Sequence, residues 1–468
     1  MTDIPDSAPR RTHLVVTGTL LLLCVGGITI ISRWFPYGPG HNHGPVGWFL
    51  AVYAAAWMVY LVAVWRLGRL PGRAVPMIFA FAIAMRLLLL FSNPILEDDF
   101  YRYIWDGHVV LAGLSPFAAA PEYIDIESVE PDPDKHAAAR FVHEKINFPW
   151  VKTIYPPAAQ VVFAAEALVF GWLPSGFKYT CFAIELLVLW LMWRVVRGLK
   201  LAPPTILIYA WNPLLLKEIN NSHHIDIVCT MLLTLFVLAL VRQRGCIAML
   251  MLMLAAFVKL TPVLLVPLLL AYLWRTGKRR QVAWNGFICV CLGVIGVALC
   301  HVGAQTDPFS GFKTFAGGWE MNASLFPLGR ALLESAGAAP GAAARMAKLI
   351  LFGGLCLFIL CGVRKVRDLP SLWRWCAWML VILFLISPVG NPWYLVWLLP
   401  FLLVTRHPVV VALMFVTILY YLSLVTVDRN ASDQVYYGIA AIEYTLFLWF
   451  LVRYLVSVRK KSRVPETG

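Results

Sequence analysis

Charge is scarce in this chain. Only 14% of its 468 residues are Asp, Glu, Lys or Arg and 60% are hydrophobic, whereas a soluble domain carries about 25% charged residues. No folded water-soluble chain of this size can cover so much apolar surface, which excludes an ordinary soluble enzyme. A Gly-rich phosphate loop and a dinucleotide fingerprint are also missing, so nothing indicates a nucleotide site. Cysteine avoids the one long polar loop. All ten cysteines, from Cys24 to Cys376, lie in or at the ends of apolar runs, which argues against a disulfide framework and a zinc site. No low-complexity linker and no internal repeat divides the sequence, so a single integral domain over 1–468 is expected. The N-terminal stretch lacks a small-residue cleavage motif, and the first helix is expected to stay.

What is present is a succession of apolar runs near the 20 or so residues that cross a bilayer, the mark of an all-α polytopic membrane protein. The net charge of +14 would suggest nucleic acid in a soluble domain. Here 24 basic residues fall in short clusters at helix ends, such as Arg66/Arg69/Arg73, Arg194/Arg197/Lys200 and Arg275/Lys278/Arg279/Arg280. That distribution follows the positive-inside rule, so the basicity reports topology and no nucleic-acid partner is expected.

With each cluster cytoplasmic, spans run from Leu14 to Ile31, Val46 to Trp65 and Ala74 to Phe91. The region from Asn93 to Tyr155 is then external. It holds 11 of the 25 acidic residues against five basic ones, and a long ordered loop usually carries function. A span from Pro203 to Ile219 delivers Asn220 to Asp226 to the same outer face. Parity between Tyr155 and Arg194 is then met if Pro157 to Trp172 dips in and returns or lies partly at the periphery, a positive-inside exception at Arg194 being the alternative. Cys246 to Trp274 is basic at both ends, too short for two crossings and broken at Lys259-Leu260-Thr261-Pro262, so it reads as a re-entrant hairpin with Lys259 toward the cytoplasmic half. A second external region covers 303–345, a tight external turn covers Ser387 to Tyr394, and a basic cytoplasmic tail covers 457–468. The count is about 12 crossings and 12–14 embedded segments.

The sharpest motif is Glu97-Asp98-Asp99 followed by Phe100-Tyr101-Arg102-Tyr103-Ile104-Trp105-Asp106. Apolar and aromatic residues recur there at helical spacing, which predicts an amphipathic helix along the membrane surface with Asp98 and Asp99 at its positive N-terminal end. Ionised carboxylates at an interface can act as general bases toward a sugar hydroxyl. Arg102, Trp105 and Asp106 are candidates for sugar contacts. His223-His224-Ile225-Asp226 offers two imidazoles and a carboxylate at a helix mouth, for holding a phosphate or an acceptor hydroxyl, or for completing a weak metal site. Arg330, Asn391, Trp393 and Tyr394 add a cation, an amide and aromatic rings, although aromatic belts are normal at interfaces. Arg86, Glu185 and Lys259 are embedded charges that fit either helix-bundle pairing or a conduction path.

Taken together, Asp98 to Gly107 (DDFYRYIWDG), Leu111 to Phe117 (LAGLSPF), Thr153 to Pro157 (TIYPP), Trp211-Asn212-Pro213, His223 to Asp226 (HHID), Lys259 to Pro262 (KLTP) and Asn391 to Tyr394 (NPWY) resemble the GT-C fold glycosyltransferases. The likeness is greatest to bacterial mannosyltransferase-like members, including glycosyltransferase family 87. The resemblance implies an inverting transfer from a polyprenyl-phosphate-linked sugar to a lipid or glycan acceptor, on the periplasmic face of a bacterial inner membrane. It places the catalytic acid in the first large external loop, which implies Asp99, four residues before Tyr103, with Asp98 as the alternate. Arg102, His223, His224 and Arg330 become candidates for phosphate and sugar contacts. No cofactor is called for, and a divalent cation stays open. A lipid-linked sugar transporter and a glycan ligase or polymerase are the rival readings.

Overall fold

A computed structural model describes residues 8–35, 44–428 and 433–463. The tail residues 464–468 lie outside it, as do the side chains of Arg10, Arg11, Arg69 and everything from Arg459 onward in the basic clusters. Regular structure among the described residues is helical, with one isolated bridge between Met321 and Val389. Among the described residues, eight helices are long and apolar enough to cross a membrane: Thr12–Trp34, Val46–Trp65, Gly72–Leu89, Gly176–Gly198, Arg279–His301, Pro340–Lys365, Leu369–Ile386 and Gln434–Ser457. The reading of about twelve crossings also counts shorter apolar segments, among them Asp226–Val241 and Pro408–Leu424. The short Pro157–Phe170 helix keeps Val161, Leu168 and Val169 exposed on its outer face, an apolar surface suited to lipid.

The stretch expected as one helix from Pro203 to Ile219 is corrected. It folds as a 3-10 turn Pro203–Ile206, a single helical turn Leu207–Ala210, a turn Pro213–Leu215 and a π-helix Leu216–Asn221. Proline explains the breaks, because Pro203, Pro204 and Pro213 have no N–H to give an α-helix. Asn212 takes over at the second break, its side-chain carbonyl accepting from the Leu214 and Leu215 amides at 3.0 and 3.2 Å. Every residue from 204 to 230 is buried, so the irregular backbone is enclosed by protein, as an apolar medium demands.

The Phe100–Leu111 helix forms where expected, but it is not a surface helix. Nine of its twelve residues are buried, because the Pro157–Phe170 and His136–His143 helices pack on it. Gly107 permits the approach: a Cβ there would stand 2.3 Å from the carbonyl oxygen of Phe163. The hairpin that follows Arg244 is two short helices, Gly245–Ala256 and Val266–Arg275, joined by a 3-10 turn Thr261–Leu265. At its tip the Phe257 carbonyl accepts from the amide of Ala158 at 3.0 Å. Lys259 is therefore carried to Tyr155 and Asp226 and shares a cavity with the acidic loop, a correction to its expected place toward the half opposite that loop.

Arg86 and Glu185, fully buried, form a two-point ion pair, with Nη2 to Oε1 at 2.8 Å and a second contact from Nε. Arg86 Nη1 also donates to the carbonyls of Ala82 and Ala210, at 2.9 and 2.8 Å. The pair thus ties the Val75–Leu89 helix, the Gly176–Gly198 helix and the broken segment together. Removing one partner leaves an uncompensated buried charge, so Glu185→Leu should destabilise the detergent-solubilised protein by about 3–5 kcal/mol. The double variant Arg86→Met/Glu185→Leu should recover part of that loss. Equal thermal midpoints for wild type and Glu185→Leu would contradict the bracing role.

Candidate active site

The acidic loop is pinned to the broken segment at one residue. Asn221 Oδ1 accepts from the amide of Ile95 at 3.0 Å, and its Nδ2 donates to Ser92 Oγ at 3.0 Å and the Asn93 carbonyl at 2.7 Å. Lys178 Nζ donates to the carbonyls of Leu90 and Ser92, at 3.1 and 2.7 Å. Three of the seven described non-glycine residues in the left-handed region lie beside this anchor: Leu96 (φ 61°), Phe148 (φ 53°) and His223 (φ 62°). Each is the sequence neighbour of a residue in the cluster, namely Glu97, Asn147 and His224. Such backbone costs on the order of 1–3 kcal/mol per residue and persists where surrounding structure over-determines it, commonly at functional sites.

Asp99 occupies the N-cap position of the Phe100–Leu111 helix with helical angles, and its carboxylate makes no cap hydrogen bond. The group instead faces a cavity, 29% exposed. Asn147 Nδ2 donates to both acidic residues, closely to Asp98 and at 3.4 Å to Asp99. The Tyr155 hydroxyl lies 3.5 Å from Asp99 Oδ2, and His224 Nδ1 lies 3.8 Å from the same oxygen. The other imidazole nitrogen, Nε2, is 3.4 Å from Glu218 Oε2 and 3.9 Å from Glu97 Oε2. The Trp393 ring stacks on His224 with centroids 4.0 Å apart. Burial pushes the Glu97 carboxyl well above its usual range, against the pull of Lys217, with Glu218, Asp99 and Asp98 adding to the rise. Burial likewise pushes the His224 imidazole down to about 3, opposed chiefly by Asp99.

The cavity has a volume of about 910 Å³ and draws on the acidic loop, the 303–345 region and the tight turn, with Asp98, Asp99, Arg102, Lys259, Asn391 and Tyr394 among its walls. Phe148 and Trp319 meet across it with ring centroids 4.3 Å apart. The turn is held by the Met321–Val389 bridge, with the Met321 amide donating to Pro388 and the Gly390 amide to Met321, at 2.9 and 2.8 Å. Tyr155, Lys259 and Tyr394 also line a smaller apolar groove of about 150 Å³, walled by Phe312, Leu380, Leu383 and Phe384. Lys259 stands at the junction, 3.3 Å from Asp226 and over the rings of Tyr155 and Tyr394 at 4.9 and 5.5 Å. A carboxylate pair, a cation and an apolar slot in one place suit a donor with a charged leaving group on an apolar tail.

Residues 153–388, half of the chain, match the model of glycosyltransferase family 87. The chain belongs to glycosyltransferase family 87. A search of curated proteins found no match. The matched stretch of this glycosyltransferase contains Tyr155, His223, His224, Asp226, Lys259 and Arg330; the acidic loop with Asp98 and Asp99 precedes it.

The residues singled out from sequence do not all reach the cavity of this glycosyltransferase. Asp98, Asp99, Arg102, Asn391, Trp393 and Tyr394 line it. Trp105 is fully buried against His143 and Trp172. Asp106 is buried behind Arg102, accepting from its Nε at 2.7 Å, and Gln160 lies 3.3 Å from its other oxygen. His223 is turned away, its ring edge-on to Phe100. His224 stands behind Trp393, and Asp226 behind Lys259. Arg330 is engaged by Glu320 and by the Tyr437 hydroxyl at 3.1 Å, with Glu320 rather than Arg330 on the cavity wall. Glu218, Asn147 and the position of Lys259 were missed. The adjacent charges Lys217-Glu218 inside an apolar run were a usable signal for Glu218. Asn147 gave none.

Asn147 is the donor shared by the two acidic residues, so Asn147→Ala should lower turnover about tenfold while changing stability by no more than about 1–2 kcal/mol. Unaltered turnover in this variant, measured beside its melting curve, would show that the orientation of the carboxylates does not depend on it.

Proposed function

We propose that this glycosyltransferase moves a hexose of the mannosyl type from a polyprenyl-phosphate donor to a hydroxyl of a lipid or glycan acceptor, with inversion, on the non-cytoplasmic side of the membrane. The observation that carries the reading is the junction at Lys259, where the cavity holding Asp99 meets the apolar groove. A polyprenyl chain fits the groove, its phosphate falls beside the ammonium of Lys259, and the sugar then projects toward Asp99. The acceptor oxygen attacks the anomeric carbon as the bond from that carbon to the phosphate oxygen breaks. The electron pair leaves with polyprenyl phosphate, and the hydroxyl proton passes to the Asp99 carboxylate, with Asp98 as the alternate base. Arg102 Nη2 has no hydrogen-bond partner while Nε and Nη1 donate to Asp106 and the Val151 carbonyl, so the Nη2 amine is left for a sugar or phosphate oxygen.

The phosphate is assigned to Lys259 in preference to His223 and His224. His224 stands behind the Trp393 ring and off the cavity wall, and His223 also lies off the cavity.

Asp99→Asn keeps the shape and removes the basicity, so it should cost about 10²-fold or more in transfer with donor binding retained. Near-normal turnover in both Asp99→Asn and Asp98→Asn would overturn the mechanism. Lys259→Gln should weaken apparent donor affinity by about 10- to 100-fold, the loss of one charged hydrogen bond. The assignment to Lys259 fails if donor affinity stays at the wild-type level. On topology, a single cysteine at Ser128, exposed in the acidic loop, should react with an impermeant reagent in intact cells. Labelling that requires permeabilised cells would place the site on the cytoplasmic face.

A further inference from the structure

Three side chains from separate pieces of chain converge beside the acidic loop without bonding to one another. Glu97 comes from the turn before the Phe100–Leu111 helix, Glu218 from the π-helix and His224 from the turn before Asp226, and their ligating atoms all lie within 4.8 Å of one another. Glu97 is 8% exposed and the other two are fully buried. Even so, Glu97 Oε1, Glu218 Oε2 and both imidazole nitrogens have no hydrogen-bond partner. Buried polar atoms left in that state are rare and call for a missing partner. The separations of 3.4 and 3.9 Å from His224 Nε2 to the two carboxylates are long for hydrogen bonds. They approach the spacing of about 3.0–3.4 Å between two ligands bound at about 2.1 Å to one ion.

We infer that Glu97, Glu218 and His224 bind one divalent transition-metal cation, of the Zn²⁺ or Mn²⁺ class. One imidazole nitrogen with carboxylate oxygens suits these ions better than Ca²⁺ or Mg²⁺, which prefer oxygen alone. The surrounding groups fit. Glu218 Oε1 is taken by the Tyr421 hydroxyl, with the Lys217 ammonium 3.8 Å away, which leaves Oε2 for the ion. Metal on Nε2 places the ring proton on Nδ1, which faces Asp99 Oδ2 at 3.8 Å, the carboxylate–histidine–metal arrangement that fixes ligand orientation. The carboxyl groups of Glu97, Asp98, Asp99 and Glu218 crowd this corner. Lys217 faces them, while Lys259 is paired with Asp226. A dication offsets that excess and clamps the acidic loop to the π-helix, positioning Asp99 through His224. The site goes beyond the transfer reaction and needs neither the donor nor the base assignment to be right.

The test uses the full chain, purified in detergent, stripped with chelator and dialysed against Zn²⁺, Mn²⁺ or Mg²⁺ alone. Elemental mass spectrometry should find about one Zn²⁺ or Mn²⁺ per chain after desalting and no retained Mg²⁺, with a raised thermal midpoint. Glu97→Gln and Glu218→Gln should lose the retained metal, and replacement of the exposed His301 by Ala should not. Stripped wild type that regains neither metal nor thermal shift overturns the site, as do Glu97→Gln and Glu218→Gln variants that bind like wild type. Should those variants fold poorly, X-ray absorption of zinc-loaded wild type decides. A shell of one imidazole with oxygen ligands supports the site, and a sulfur or multi-imidazole shell refutes it.

Discussion

Backbone that leaves the α-helix in an apolar medium must find every hydrogen-bond partner within the protein. In this chain the cost is concentrated between Pro203 and Asp226, where prolines and a π-turn interrupt what hydropathy reads as a span. The consequences spread outward from there. From Pro204 onward the segment is buried, Arg86 is recruited to the Ala210 carbonyl, and Asn221 uses its amide on the start of the acidic loop. The π-turn also brings Lys217 and Glu218 inward on successive residues, which a regular helix in lipid would not tolerate without partners.

The same break positions the chemistry. Because Asn221 grips Asn93 and Ile95, the strained turn at Leu96 delivers Glu97, Asp98 and Asp99 at a fixed distance from His224. Asp99 is hydrogen-bonded by Asn147 and Tyr155 and faced by His224 at 3.8 Å, and its carboxylate stays open to the cavity. The hairpin tip supplies Lys259 from the opposite side, and the Ser387 to Tyr394 turn closes the third wall.

Hydropathy and charge made the helical class, the long acidic loop and the break at Lys259 legible in the sequence, because each depends on local composition. The motif from Asp98 to Gly107 also pointed to the cavity-facing Asp99 and Arg102. Depth and facing were not legible. Trp105 and Asp106 have the same residue types as cavity ligands, but the helical repeat turns Trp105 toward His143 and Trp172 and Asp106 toward Gln160 of the Pro157–Phe170 helix, where Gly107 allows close packing. Lys259 was assigned to the cytoplasmic half from the basic residues flanking its hairpin, yet the length of the hairpin carries its tip to Tyr155. Asn147 is invisible locally, since its role exists only once the loop folds back over Asp98.

The central claim is that donor phosphate and base meet across the Lys259 junction. The most direct measurement is a structure of the full chain with a non-hydrolysable polyprenyl-phosphonate sugar. The phosphonate should lie within hydrogen-bond reach of Lys259 Nζ, the anomeric carbon should face Asp99 and the chain should run along Phe312, Leu380 and Phe384. A phosphonate seated against His223 or His224, or a chain that leaves the groove empty, would contradict the account.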